Sequence, residues 1–486
     1  MKIKYYLLVM ATVAITKTSF AQYSQDAIRF STFQTGSTSR IKAIGNAQMA
    51  VGGDLSSVSG NPAGLGFFTR SELSITPEFN STKVTGNYYG QSSTGKSNQL
   101  NFNNASVVFY SRINSPRGED KSKGWLSVNW GASYNRTNNF YQNSFYGGLN
   151  DKSSITDYYT SLANQALDNN YSLDGYLEGW AAGQGLIRYN QPQDQYESNA
   201  KYKALQNSNT RTEGGQTAYS FSMGANYSNK LYLGLGFDVT DLRYNSTNAF
   251  TEDNATLADF SYNTTYGRNQ VTTGTGFNIR AGFIYKPVEA VRFGATVTTP
   301  TWYNVSDVTE EYLNTTYEAS GQPSGRNGDT YNASYDLRTP FKVAGGLAIF
   351  IKKYGFITGD VEYLNYSTTR LSSPDFDVTD DNNDIRKLYG TAVNARVGAE
   401  ARVTSSFYLR GGYGIQGSPL KNDGKDIKSV SGGLGYRFGS YYIDATYMHN
   451  SGTQNVTPYS IGPQFSPVAA LKTNSNNAFL TVGLRF

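Results

Sequence analysis

The stretch that decides the fold is Asn476-Asn477-Ala478-Phe479-Leu480-Thr481-Val482-Gly483-Leu484-Arg485-Phe486. Counted back in steps of two, Phe486, Leu484, Val482, Leu480 and Ala478 are apolar. Arg485, Gly483 and Thr481 between them are small or polar, with Phe479 the exception. A period of two marks a strand with one apolar face. Such a strand, ending on an aromatic, needs a partner edge and an apolar surrounding.

The same alternation recurs along the chain. Leu231, Leu233, Leu235, Phe237 and Val239 interleave with Tyr232, Gly234, Gly236 and Asp238. Val393, Ala395, Val397, Ala399 and Ala401 interleave with Asn394, Arg396, Gly398, Glu400 and Arg402. Extending this reading predicts about fourteen strands, near 71–79, 103–112, 124–138, 215–228, 230–245, 270–286, 289–301, 338–351, 355–366, 390–403, 405–415, 427–438, 440–450 and 476–486. The connections sort into two kinds. Tight ones lie at 228–230, 286–289, 352–355, 404–406 and 439–440. Long polar ones lie near 80–102, 139–214, 246–269, 302–337, 367–389, 416–426 and 451–475. Short and long alternate strictly after the third strand, the connection near 113–123 being a longish member of the short set; this is the pattern of an up-and-down barrel in an outer membrane, with tight periplasmic turns and long external loops. A soluble sandwich or propeller has no reason to sort its loops this way. In hydrocarbon every backbone amide must be paired within the protein, so the last strand has to close onto the first.

Composition agrees. The chain has 486 residues with 39 Tyr and 50 Gly, and 38% are hydrophobic. Gly weakens helices and Tyr suits strands and interfaces. There is no Cys, so no disulfide framework and no thiolate metal site. A formal charge of +5 without a basic block speaks against a nucleic-acid partner. Residues 1–21 carry Lys2 and Lys4, an apolar run from Tyr5 to Ile15 and small residues before Gln22, the pattern of a cleaved secretory leader. The run is too short for a membrane anchor. No later segment is long and apolar enough for a membrane helix, which leaves a barrel open, because a barrel needs only one apolar face per strand.

With the alternating apolar residues facing lipid, the other set faces the lumen: Asp238, Asp360, Glu362, Arg396, Glu400, Arg402, Arg410, Arg437, Asp444 and Arg485. An Arg facing lipid at mid-membrane costs about 2–4 kcal/mol. Facing inward, Glu400, Arg402, Arg410 and Arg437 are placed to pair across neighbouring strands, as structural salt bridges or as the lining of a polar lumen.

Residues 22–70 precede the barrel of 71–486 and are rich in Gly, Ala and Ser, which suits a compact element packed inside it. Arg40, the run Ala43-Ile44-Gly45-Asn46-Ala47-Gln48-Met49-Ala50-Val51-Gly52-Gly53-Asp54 and then Asn61-Pro62-Ala63-Gly64-Leu65 resemble the N-terminal hatch of the FadL-type long-chain fatty-acid transporters of the outer membrane. Length, strand number and an early long loop agree over nearly the whole mature chain. The resemblance implies a transmembrane antiparallel barrel of about fourteen strands, a hatch over 22–70 that blocks the lumen, and exit of apolar substrate through a gap in the wall. Asn61, Pro62 and Ala63 carry over as the hatch motif. Read without the resemblance, Asn61-Pro62 is a turn entering the first strand.

The largest loop, 139–214, is predicted to hold two short helices. Tyr159, Leu162, Ala163, Ala166 and Leu167 fall at helical spacing, as do Leu173, Tyr176, Leu177, Trp180 and Ala181, followed by Leu186. Their apolar faces either cover each other and the barrel mouth or form a groove that collects a hydrophobic ligand. Tyr176, Leu177, Trp180 and Leu186 are the candidates for lining such a groove.

Catalytic signals are sparse. His449 is the single His and no Ser is specified as its partner. Gly412-x-Gly414-x-x-Gly417 matches a dinucleotide pattern but lacks a βαβ setting. The acidic stretch Asp375, Asp377, Asp380, Asp381, Asp384 lacks the glycine and terminal glutamate of a calcium hand and reads as a solvated loop. These features imply no enzyme, cofactor or metal. They point to a passive outer-membrane channel for hydrophobic small molecules, gated by the hatch, with ligand and membrane lipid as partners. The alternative is a barrel subunit of a larger outer-membrane assembly, with other barrels or lipoproteins as partners.

Overall fold

The computed structural model describes residues 21–486 apart from 33, 35, 115–119, 121, 423 and 463–464. The expected leader lies outside the described residues except for Ala21, which opens a helix.

Fourteen antiparallel strands close into one barrel. They are β1 (Glu72–Tyr88), β2 (Gln91–Phe109), β3 (Trp125–Asn139), β4 (Ala204–Tyr227), β5 (Leu231–Ala255), β6 (Ser261–Val288), β7 (Val291–Thr298 continued by Trp302–Tyr317), β8 (Gly325–Arg338 continued by Lys342–Ile351), β9 (Gly355–Asn365), β10 (Thr391–Arg402), β11 (Phe407–Gln416), β12 (Ile427–Phe438), β13 (Tyr441–Val456) and β14 (Ala469–Arg485). Each pairs with its sequence neighbours, and β14 returns to β1 with Leu73 opposite Leu484 and Ile75 opposite Val482. The seam ends with the Phe486 amide donating to the Ser71 carbonyl at 2.9 Å.

The terminal pattern resolves as the alternation predicts. Leu480, Val482 and Phe486 face outward, whereas Phe479 and Thr481 are buried inside. Leu233, Leu235, Phe237, Val397, Leu409 and Leu434 are likewise exposed on the outer wall. Aromatic residues edge this apolar band, as they do at membrane interfaces. Trp125 and Tyr227 meet at 5.2 Å near the tight turns, and Tyr134 and Tyr219 at 5.8 Å farther up. Eight residues of a strand tilted by roughly 40° at ~3.4 Å each separate Tyr219 from Tyr227 by about 21 Å, close to the height of a bilayer-facing band. Among the described residues no helix is long and apolar enough to cross a membrane.

Three of the segments expected to be loops are largely strand. Residues 80–102 form the upper halves of β1 and β2 around a turn at Tyr89 and Gly90, where both residues adopt positive φ. Residues 246–269 and 302–337 similarly extend β5 to β8 beyond the apolar band. The acidic stretch holds a helix, Thr379–Leu388. The largest loop folds into an extra strand, Gln142–Asn150, paired with the upper part of β4, two helices, Ile155–Asp168 and Leu177–Gly183, and a short hairpin of Ile187–Asn190 with Gln195–Ser198.

The N-terminal segment runs through the barrel interior. Helix α1 (Ala21–Ser31) lies in the upper half, with Phe30 edge-on to Phe140 and Tyr244. Below it come α2 (Ser39–Ala43) and two 3-10 turns, Leu55–Val58 and Pro62–Phe67.

Candidate functional site

The plug is seated by backbone contact with the wall. Gly234 and Gly412 face inward where the plug passes, and a Cβ at either would collide with plug backbone, at Pro62–Ala63 and at Ile44–Gly45 respectively. Glycine is needed at these positions for close approach rather than for a special φ. The second and third residues of the Gly412-x-Gly414-x-x-Gly417 pattern lie at the end of the same strand and in the loop after it.

Polar wall residues then satisfy the plug's amides and carbonyls. Asp360 accepts from the Gln48 and Met49 amides at 2.6 and 2.9 Å. Asn129 donates to the carbonyls of Leu65 and Phe68, Ser222 to Val58, and Ser431 to Ala43. Asn61 holds both layers together. Its Oδ1 caps the turn by accepting from the Ala63 amide, while Nδ2 donates to the carbonyls of Met49 in the plug and Phe283 in the wall, at 2.7 and 3.2 Å. Pro62 follows at the first turn position, where its missing N–H costs nothing. Ala63 is fully buried.

A chain of charges continues from plug to wall. Arg40 Nε lies 2.8 Å and Nη2 3.1 Å from the two Glu400 oxygens, and Nη1 is 3.6 Å from Asp54. Glu400 also takes Arg410 Nε at 2.7 Å. Arg410 and Arg437 share Asp444 at 2.7 and 2.9 Å. The lumen charges Glu400, Arg410 and Arg437 therefore belong to one network. Arg402 does not join it. β10 ends there, and the exposed Arg402 side chain donates to the carbonyls of Thr404 and Ser405 in the tight turn below.

Above the plug lies a cavity of about 270 Å³. Its lining is mainly amide and hydroxyl, with Lys42, Glu78 and Arg136 as charges and Phe479 and Met448 as apolar members. The Lys42 ammonium sits 5.3 Å from the Phe479 ring centroid, and burial depresses its pKa below the ordinary lysine value. This chamber abuts an interruption in the wall. β2 pairs with β3 only over Asn104–Phe109 with Trp130–Asn135. Above Asn104, β2 pairs with β1 alone. β3 carries a bulge between Arg136 and Asn138, and the chain then turns inside, where Gln142–Asn150 passes close to Gly86 and Gly95 of the β1–β2 hairpin. Bulges re-aim side chains in this way. The plug crosses the inner mouth of the interruption: the Gln34 amide donates to Thr137 of β3 and Asn103 of β2 donates to Ser37.

The cap closes over the upper rim. Leu177, Trp180 and Leu186 are buried in a cluster with Ile155, Tyr159, Phe250 and Tyr317. They pack the two loop helices onto the extended strands and line no open groove; of the four groove candidates only Tyr176 is exposed. The reason is local, since the upper parts of β5 to β8, expected as loops, are strands that present an apolar inner face for the helices to cover. Glu252, fully buried, fixes the first helix by accepting from the Ile155 amide at 2.9 Å, and it also accepts from Gln206 and Tyr262. On the other side, α1 meets the acidic helix, where the Ser24 amide donates to Asp381 at 2.9 Å. Burial, with Asp384 and Asp380 adding, pushes the Asp381 carboxyl up to about 7. His449 lies on the outward side of β13, its Nδ1 2.8 Å from Asn476 Oδ1. Among the described residues no group of three or more His, Cys, Asp or Glu is arranged to hold a metal ion.

No protein-family model matches the sequence, and no curated protein matches it significantly. Solved structures do match over nearly the full length. A Pseudomonas aeruginosa FadL homologue superposes with TM-score 0.57 at 12% identity, covering 94% of this chain and 99% of that one. The P. putida toluene transporter TodX gives 0.54 at 12%, with 93% and 99% covered. The CymD monoaromatic hydrocarbon channel gives 0.50 at 11%, with 93% and 98%. At such identities the likeness is one of fold. By its fold the chain is a FadL-type barrel, fourteen strands closed around their own N-terminal segment.

Proposed function

We propose that this protein is an outer-membrane channel for passive uptake of hydrophobic small molecules, long-chain fatty acids among them, with residues 22–70 as its hatch. The observation that carries the reading is the meeting of the chamber with the interrupted β2–β3 ladder, whose inner mouth is crossed by Gln34 and Ser37 of the plug and whose upper part is backed by the strand Gln142–Asn150. A molecule held there has the upper edge of the apolar band on one side and the plug segment in its way. Shifting Gln34 and Ser37 would free the opening while the rest of the wall stays paired. Proteins of this fold include a toluene transporter and a monoaromatic hydrocarbon channel, which supports the ligand class. The polar outer leaflet is a barrier to apolar solutes, and a protein-lined bypass lowers it without a cofactor or an energy source. Uptake of labelled fatty acid into liposomes tests this. Mature protein should exceed empty liposomes, and a variant altered at Asn61 and Pro62 should change the rate. Uptake equal to empty liposomes for both proteins overturns the reading.

A further inference from the structure

The chamber above the plug is built for a polar occupant. Its side chains at Gln142, Gln416, Asn450 and Thr473 have no hydrogen-bond partner among the described residues. Gln416, Asn450 and Thr473 lie on the inward-facing registers of β11, β13 and β14. Tyr141 and Phe479 supply the aromatic faces. The charges are of both signs, so the chamber has no strong field to select one ion. A volume of about 270 Å³ is room for several waters or for a single sugar ring with its hydroxyls. An alkyl chain or an arene placed there would strip these amides of water and give them nothing in return, an unfavourable exchange. A group rich in hydroxyls would replace the water bond for bond. Beside the chamber the surroundings reverse. On β2 at the interruption, Leu100 and Phe102 are exposed on the outer wall.

We propose that the ligand is an amphiphile with a bulky, uncharged, hydroxyl-rich head, of the sugar-headed kind, whose head fills the chamber while its tail lies across the β2–β3 interruption over Leu100 and Phe102. This rests on the channel reading and narrows its substrate class. The head would be recognised by the unpartnered side chains of Gln142, Gln416, Asn450 and Thr473, and the tail would rest on the outer wall at the upper edge of the apolar band.

The test uses the full mature chain in nanodiscs, titrated separately with octyl glucoside, octanoate and glucose below micelle formation. Octyl glucoside should bind at least ~10-fold tighter than octanoate, with glucose weaker than either, a gap of about 1.4 kcal/mol. In the Gln416→Leu/Asn450→Leu variant that preference should vanish, with octanoate binding unchanged or tightened. Octanoate binding as well as octyl glucoside to the unaltered protein overturns the proposal and leaves the channel reading standing. Failure of both amphiphiles to bind removes the channel reading itself. The ligand series on unaltered protein needs no variant to fold.

Discussion

The Arg40 guanidinium and the Glu400 carboxylate meet end-on through two hydrogen bonds, at 2.8 and 3.1 Å, joining the plug to the barrel wall. The pair is asymmetric, because Glu400 has a second close partner in Arg410 whereas Arg40 has besides it the more distant Asp54 and the Phe356 ring. Arg40→Ala leaves Glu400 paired and should weaken plug seating by about 1–3 kcal/mol. Glu400→Ala takes a partner from two guanidiniums at once, leaving Arg410 on Asp444 and Arg40 on the more distant Asp54, and should cost more than the Arg40 variant, up to about 3–5 kcal/mol. Planar-bilayer recordings check the order: open events should be more frequent in the Glu400 variant than in the Arg40 variant. The reverse order would mean the wall network holds without Glu400.

Asn61 acts as both acceptor and donor, and two substitutions separate the roles. Asn61→Asp keeps the cap on Ala63 but cannot donate to Met49 and Phe283. Asn61→Ala loses both. Losing a cap alone costs about 1 kcal/mol, and orphaning a buried carbonyl about 1–3. Asn61→Asp should therefore be nearly as disruptive as Asn61→Ala. The chain has no native Cys, so a single Val58→Cys reports plug release through its maleimide labelling rate. Labelling of the Asp variant at the parental rate would assign the effect to the cap.

Adjacent glycines on β11 give a paired control. A Cβ at Gly412 runs into the backbone of Ile44 and Gly45, whereas at Gly411 it meets nothing nearer than 4.0 Å. Gly412→Val should displace the plug while the barrel still closes. Gly411→Val, facing lipid, should leave it seated. Both should migrate as folded barrels on unheated gels, and only the first should admit small antibiotics into cells that express it.

The contact between α1 and the acidic helix depends on pH. Burial raises the Asp381 carboxyl from its ordinary value to about 7, so the docked state binds a proton that the undocked state releases near pH 4. Docking is favoured below pH 4 and loses stability as pH climbs from about 4 through 7. Trypsin cleavage after Arg29 should quicken between pH 6 and 8. Asp381→Asn can still accept from the Ser24 amide and should stay protected at both values, measured against the parent at each pH. Equal pH dependence in the two proteins would exclude Asp381 as the titrating group.

Much of the barrel could be read from the chain because lipid enforces a sharp contrast between faces. Leu233, Leu235 and Phe237 against Gly234, Gly236 and Asp238 leave one register open, and all fourteen strand positions follow from such runs. Above the apolar band the contrast is lost. Ser81 and Lys83 face out and Thr82 faces in, so β1 looked like a loop where it is still a ladder. The acidic helix was hidden by its Asp and Asn residues, which favour turns over helix interiors. At the site, Asn61 and the inward charges were legible by motif and parity. Arg402 was not, since parity says nothing about where a strand ends. The Arg40–Glu400 pair joins positions 360 residues apart, and the chamber residues sit on strands of different sequence neighbourhoods; neither leaves a local signal.

The seam between β1 and β14 sets a condition on biogenesis. Glu72 meets Arg485 across 413 residues, so the ring cannot seal until nearly the whole polypeptide is at hand. The segment that fills the ring lies upstream of both edges and makes buried bonds to β3, β9, β10 and β12, so it has to be swept inside before the two edges zip. A machine that inserts this barrel must therefore wrap a half-open sheet around cargo already in place.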